Sequence, residues 1–265
     1  MSAWLHVVGI GEGGLADLSP AARSLVAQAE AIIGPARHLA TLDTGAGRRI
    51  EWQPPLDQML AQVLALRGEP TVILATGDPL WHGIGATLAR QLDPDEFLVL
   101  PHLSAFQLAA ARLRWPLQHV AQISLHGRPV EALHPHILPG NRILALTSDA
   151  STAGEVAELL VARSYGQSHI TILEQLGGAG ERLHATAAES LGSAQIGDLY
   201  VLAIDCVAGP EAPLLPPVPG LPDAAFVTDG QLTKREVRAA TIARLAPYPG
   251  ALLWDVGAGC GSIAI

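Results

Sequence analysis

Leu5-His6-Val7-Val8-Gly9-Ile10-Gly11-Glu12-Gly13-Gly14 is a short apolar run that ends in a glycine-rich turn. Six apolar or near-apolar residues in a row read as a strand buried on both faces, and the glycines let the backbone take positive φ and approach a neighbour or ligand closely. Ser19-Pro20 downstream supplies an N-cap and a first-turn proline, so a helix is expected over Pro20 to Glu30. The pattern then repeats, with strands at Thr71–Ala75 and Phe97–Leu100 and a helix at Ile84–Leu92. Strands alternating with helical crossovers define an α/β fold with mainly parallel sheets.

A second set follows. Arg142–Thr147 reads as a strand, Ala153–Arg163 as a helix with Asp149 or Ser151 as its cap, and Ile170–Glu174 and Leu199–Asp205 as further strands. Arg114-Trp115-Pro116 interrupts the helix that starts near Ala105, because proline excludes the helical conformation from its predecessor. Two lobes are therefore expected, residues 1–114 and 115–207. Residues 208–222 hold six prolines, a composition that behaves as a semi-rigid spacer. Residues 223–265 are too few to bury an independent core and read as the incomplete start of a Rossmann-like domain.

With 49% hydrophobic residues and a mean hydropathy of +0.30, the chain has ample material for a large folded unit. A net charge of -9 with only 15% charged residues argues against a nucleic-acid footprint. No apolar run approaches the ~20 residues of a membrane helix, and Met1-Ser2-Ala3-Trp4 is no secretory signal. Cys206 and Cys260 lie too far apart to define a disulfide framework or metal cluster. A cytoplasmic protein without membrane or nucleic-acid partners is expected.

Three turns carry the candidate chemistry. The first is Gly9 to Gly14. Its Gly9, Gly11, Gly14 spacing also satisfies the dinucleotide fingerprint, but the helix signal at Ser19 comes too late to seat a pyrophosphate, and Glu30 precedes an apolar run where a ribose-binding acid would end one. The second is Ala75 to Gly83, in which Gly77, Asp78 and Trp81 stand at a strand's carboxyl end, where open parallel sheets bind ligands. The third is Pro101 to Phe106, with Ser104 placed both to cap a helix and to offer its hydroxyl. Taken singly, each is also an ordinary turn or cap.

In this order and spacing, residues 1 to about 207 resemble the tetrapyrrole methylases, and within them the corrin-ring enzymes of vitamin B12 synthesis. The likeness rests on Gly9-Ile10-Gly11-Glu12-Gly13, Gly77-Asp78-Pro79 with Trp81, Pro101 through Ala105, Leu146-Thr147-Ser148-Asp149 and Glu174-Gln175-Leu176-Gly177. Many members carry proline where Glu12 stands. Thr233 to Arg238, followed by Leu253-Trp254-Asp255-Val256-Gly257-Ala258-Gly259-Cys260-Gly261, looks like the start of a partner methylase of the S-adenosylmethionine class.

The resemblance implies a two-lobed tetrapyrrole methylase fold holding S-adenosyl-L-methionine between its lobes, at Gly11, Glu12, Gly77, Asp78, Trp81, Ser104, Ala105, Thr147 and Ala203. In the second segment the cofactor residues would be Asp255, Gly257, Gly259 and Gly261. It further implies a precorrin substrate methylated at C5 by the first domain, with C15 methylation and decarboxylation needing more of the second, and a homodimer or higher homo-oligomer. Methyl transfer from a sulfonium needs alignment and water exclusion rather than a protein nucleophile, so no catalytic residue stands out. His82 and His126 are candidates for substrate contacts, and Arg37, Arg112 and Arg128 for its carboxylates. His134-Pro135-His136 lacks a third ligand, and no metal is expected. The rivals are a nicotinamide-dependent oxidoreductase and a non-catalytic ligand-binding fragment.

Overall fold

The structure is a computed structural model that describes residues 3–42, 47–52, 55–192 and 196–264. The first lobe runs β1 (Leu5–Ile10), α1 (Pro20–Gln28), β2 (Ala31–Gly34), α2 (Ala36–Leu39), β3 (Arg48–Glu51), α3 (Leu56–Leu64), β4 (Thr71–Thr76), α4 (Ile84–Leu88) and β5 (Phe97–Leu100). Its sheet is parallel throughout, in the order β3-β2-β4-β1-β5. β1 and β4 lie centrally and are almost wholly buried, as a sheet covered on both faces requires. Ser19 accepts from the Ala22 amide at 3.2 Å and starts α1 at Pro20, as expected. The helix ends earlier than expected, because Ala31-Ile32-Ile33 is a buried strand.

α5 (Ala105–Leu113) leads into the second lobe, which contains β6 (Val120–Ser124), β7 (Arg142–Leu146), α6 (Thr152–Ala162), β8 (His169–Glu174), β9 (Arg182–Ala187) and β10 (Tyr200–Asp205). This sheet, ordered β6-β7-β10-β8-β9, departs from the parallel expectation. Only β6 and β7 pair in parallel, and β10 is antiparallel to both of its neighbours. The cause is the short β8–β9 hairpin connection and the reversed entry of β10; neither leaves room for a crossover helix. Asp149 does not cap α6 directly: its Oδ1 accepts from the Ser151 amide at 2.8 Å and shapes the turn ahead of the helix.

α5 belongs by packing to the second lobe. Phe106, Ala109 and Ala110 are buried against Leu144, Leu173, Val201 and Ala203, so the packing boundary precedes α5 instead of following it. Ser104 and Gln107 form a reciprocal capping box at its start, and Arg114, in the left-handed region with φ 57°, ends it.

Beyond β10 the proline-rich stretch forms neither helix nor strand, and α7 (Arg235–Leu245) follows. Arg238 is 1% exposed; it donates to the Leu221 and Thr233 carbonyls, pairs with Asp223 and lies over the Phe226 ring at 4.7 Å. Residues 251–255 form no strand, because a single segment without a neighbour has no ladder to join. Among the described residues no helix is long and apolar enough to cross a membrane.

Candidate active site between the lobes

The three turns meet. Gly77, with φ 66°, donates its amide to the Ile10 carbonyl at 2.9 Å, which locks the second turn to the end of β1. A Cβ on Gly9 would lie 2.2 Å from the Gly77 carbonyl oxygen and 2.5 Å from the His102 amide nitrogen, so all three turns touch there through backbone alone. A Cβ on Gly77 would stand 3.2 Å from the Ser104 Cα. Only glycine permits this approach.

The joined turns form one wall of a cleft of about 1220 Å³. The opposite wall is the edge of the second sheet. The carboxyl ends of β6, β7 and β8 contribute Ser124, Leu146, Thr147, Leu173 and Gln175; β10, running the other way, contributes its start, Tyr200 and Val201. Antiparallel pairing therefore brings the beginning of β10 to the same rim as the ends of its neighbours.

Gly11, Glu12, Gly77, Asp78, Trp81, Ser104, Ala105 and Thr147 all line this cleft. Ala203 does not. It lies within β10, in register with Leu144 and Thr171, and is 1% exposed beneath α5. Asp255, Gly257, Gly259 and Gly261 are in the C-terminal segment, also away from the cleft lining.

Several of the hydroxyls are already committed. Ser104 Oγ accepts from the Gln107 amide at 3.3 Å, and Thr147 Oγ1 donates to the Tyr200 carbonyl at 2.8 Å. Their contribution to a ligand is thus mainly backbone and shape. Asp78 Oδ1 accepts from the Leu80 amide at 2.9 Å and holds its own turn. Trp81 packs its ring 5.7 Å from that of Phe106.

Among the arginines, Arg37 and Arg128 line the cleft, and so does Arg90 just after α4, which no sequence signal marks. Arg112 does not: its Nε and Nη2 both donate to Glu181, which also accepts from the Gly177 amide at 2.8 Å. These bonds hold the Glu181 carboxyl below its usual range and brace the β8–β9 turn against α5. His134 is bound by Arg163, which meets its ring nitrogen and carbonyl at 3.0 Å each.

A polar relay behind the cleft wall was not legible. Glu12 lies 3.4 Å from Arg37, whose Nη2 donates to Thr76 Oγ1 at 2.7 Å. The Thr76 hydroxyl also lies 2.9 Å from His38 Nε2, within hydrogen-bond distance of the ring. Burial, with the Arg37 guanidinium beside it, pushes the His38 imidazole down to about 4.

The sign follows. An unfolded chain with its histidine near 6.5 binds more protons than the fold between that pH and about 4, so stability is full above the upper value and falls as pH drops through the window. Screening holds the loss to about 2 kcal/mol. Urea unfolding from about pH 7 to about pH 4.5 should show the wild type losing more stability than His38→Gln. Equal losses would contradict the neutral, buried imidazole.

A fully parallel sheet and a mixed sheet facing each other across an open, turn-lined cleft define a two-lobed α/β class shared with solved methylases. The Thermus thermophilus uroporphyrin-III C-methyltransferase complexed with S-adenosyl homocysteine superposes with a TM-score of 0.61 at 21% identity, covering 76% of this chain and 96% of that one. A precorrin-6Y methylase from Archaeoglobus fulgidus gives 0.57 at 22%, covering 76% and 97%. Residues 4–192 match the family described as Tetrapyrrole (Corrin/Porphyrin) Methylases, and the chain belongs to it.

Residues 224–265 match a precorrin methyltransferase domain. A Sinorhizobium precorrin-6Y C(5,15)-methyltransferase [decarboxylating] is 47% identical over 100% of this chain, which spans 64% of that relative's length. The Salmonella typhimurium cobalt-precorrin-7 C(5)-methyltransferase is 33% identical over 68% of this chain and 89% of its own.

Proposed function

We propose that the chain is an S-adenosylmethionine-dependent C-methyltransferase that methylates C5 of a precorrin in cobalamin biosynthesis. The observation that carries this reading is the backbone-to-backbone meeting of Gly9, Gly77 and His102, which ties together the turns whose residues Gly11, Gly77 and Ser104 line the cleft. The cleft's volume of about 1220 Å³ exceeds the ~300–1000 Å³ usual for one small ligand, and so suits a donor and a macrocycle side by side.

The donor-binding residues proposed are Gly11, Glu12, Gly77, Asp78, Trp81, Ser104, Ala105 and Thr147, with Asp255, Gly257, Gly259 and Gly261 serving a second donor site in residues 223–265. We divide the chain into a methylase domain over 1–207, a spacer over 208–222 and a second-domain segment over 223–265. C15 methylation and decarboxylation are assigned to the more complete second domain that the Sinorhizobium relative's greater length accommodates. A bound donor would supply an electrophilic methyl. The chain's own residues orient it, Trp81 and Leu80 shield it from water, and Arg37, Arg90 and Arg128 meet the macrocycle's carboxylates. A homodimer and a cytoplasmic setting complete the proposal; two free cysteines support the latter, and sedimentation tests the former.

Calorimetry separates this reading from a nicotinamide enzyme: S-adenosylhomocysteine should bind and NADH should not. The reverse result, or a failure to transfer labelled methyl to precorrin-6Y, would reject it. Asp78→Ala should weaken S-adenosylhomocysteine binding by about tenfold, through loss of the turn's hydrogen bond, with little change in melting temperature. Unchanged affinity would remove Asp78 from the site.

A further inference from the structure

His82 combines three features. Its backbone is in the left-handed region at φ 57°, which costs a residue with a Cβ about 1–2 kcal/mol and would suit glycine or asparagine better. The turn that enforces it is tight: a Cβ on Gly83 would lie 2.5 Å from the Pro79 carbonyl oxygen, which accepts from the Gly85 amide at 2.8 Å. The side chain lines the cleft with its ring edge-on to Phe106, 6.0 Å between centroids at 70°.

Among the described residues the His82 ring makes no hydrogen bond. Of the cleft's carboxylates, Asp78 accepts from the Leu80 amide and Asp198 from the Ala150 amide at 3.2 Å, while Glu12 lies 3.4 Å from the Arg37 guanidinium with its buried Oε1 not hydrogen-bonded. The charged and titratable groups sharing the cleft with His82 are Glu12 after β1, Arg37 on α2, Asp78 on its own turn, Arg90 just after α4, His126 and Arg128 after β6, Asp198 before β10 and Tyr200 at its start. Burial, then the Arg128 guanidinium, lower the His82 pKa and keep the ring neutral at neutral pH.

We propose that His82 is the base that removes the proton from the methylated ring carbon. This rests on the function proposed above. The ring carbon's π pair forms the new bond to the methyl group, and the electrons of the broken sulfur–carbon bond remain on sulfur as a thioether. The resulting cationic macrocycle loses the hydrogen of that same carbon as a proton to a free imidazole nitrogen of His82. The conjugated ring is restored, and His82, now an imidazolium, returns the proton to water.

The test uses the full chain with labelled S-adenosylmethionine and precorrin-6Y. His82→Asn and His82→Gly both suit the left-handed backbone, so neither should melt below the wild type and each should bind S-adenosylhomocysteine equally well. Each should lower kcat by about 10²–10⁴-fold. The wild-type kcat should rise with pH through a midpoint below 6.5; His82→Asn should lack that limb, and added imidazole should restore turnover to His82→Gly. The proposal is overturned if His82→Asn keeps the acid limb, if imidazole has no effect, or if His126→Asn is the variant that loses the limb. A wild type that binds no S-adenosylhomocysteine and transfers no methyl would instead reject the proposed function itself.

Discussion

Gly9→Ala is expected to lower S-adenosylhomocysteine affinity by about 100-fold and to destabilise the first lobe by about 2–4 kcal/mol. The added Cβ would meet the Gly77 carbonyl oxygen at 2.2 Å and the His102 amide nitrogen at 2.5 Å. Both are backbone atoms, so no rotamer change relieves the contact. Reaching ordinary van der Waals separation requires the turns to part by roughly 1 Å. A displacement of that size at a positioning site costs about two orders of magnitude in alignment. Gly13→Ala is the control, since the atoms nearest its Cβ are those of the Asp17 carboxylate, the end of a side chain that can turn aside, and not backbone. Calorimetry with both variants checks the difference. Equal affinities would mean that the junction of the turns does not shape the ligand site.

Phe106→Ala should cost about 3–5 kcal/mol, a large share of the ~5–15 kcal/mol that a domain possesses. The ring is 1% exposed and fills the space between α5 and the second sheet, against Leu144, Leu173 and Val201. It also carries the cleft wall, since Trp81 and His82 both rest on it. Removing it leaves a cavity that α5 cannot close without leaving the sheet. Phe106→Leu, which keeps most of the volume, should cost less than about 1.5 kcal/mol. Urea midpoints with unchanged slope would report the ordering; an alanine variant as stable as the leucine variant would show that α5 does not depend on this ring.

The legible parts of the fold are those where one local rule decided the outcome. β1, β4, β5 and β7 are compact apolar runs, and Ser19 and Ser104 announce their helices. β2 was hidden because Ala31-Ile32-Ile33 follows α1 with no glycine or proline between them, so strand and helix merge into one apolar pattern. β3 and β9 are mostly exposed edge strands, Arg48–Glu51 and Arg182–Ala187, whose polar alternation resembles a loop. The antiparallel run of the second sheet depends on chain reversals that no short motif encodes.

The site was legible as far as its turns, because glycines at two strand ends and the capping Ser104 at the third are local signals. Side-chain partnerships were not. Arg112 and Arg37 are indistinguishable in sequence, yet Glu181 occupies the first and the second faces the cleft. Ala203 stands on a rim-forming strand, but too far along it, and its methyl turns under α5. The relay through Thr76 and His38 joins residues far apart in sequence, and only the parallel pairing of β2 with β4 brings them together.

The most direct test is a crystal structure of the chain with S-adenosylhomocysteine. The account predicts the ligand between the lobes, its polar atoms against the backbone of Gly77, Asp78, Ser104 and Ala105. Density for the ligand elsewhere, with these turns unoccupied and Arg37 and Arg128 closed over an empty cleft, would contradict it.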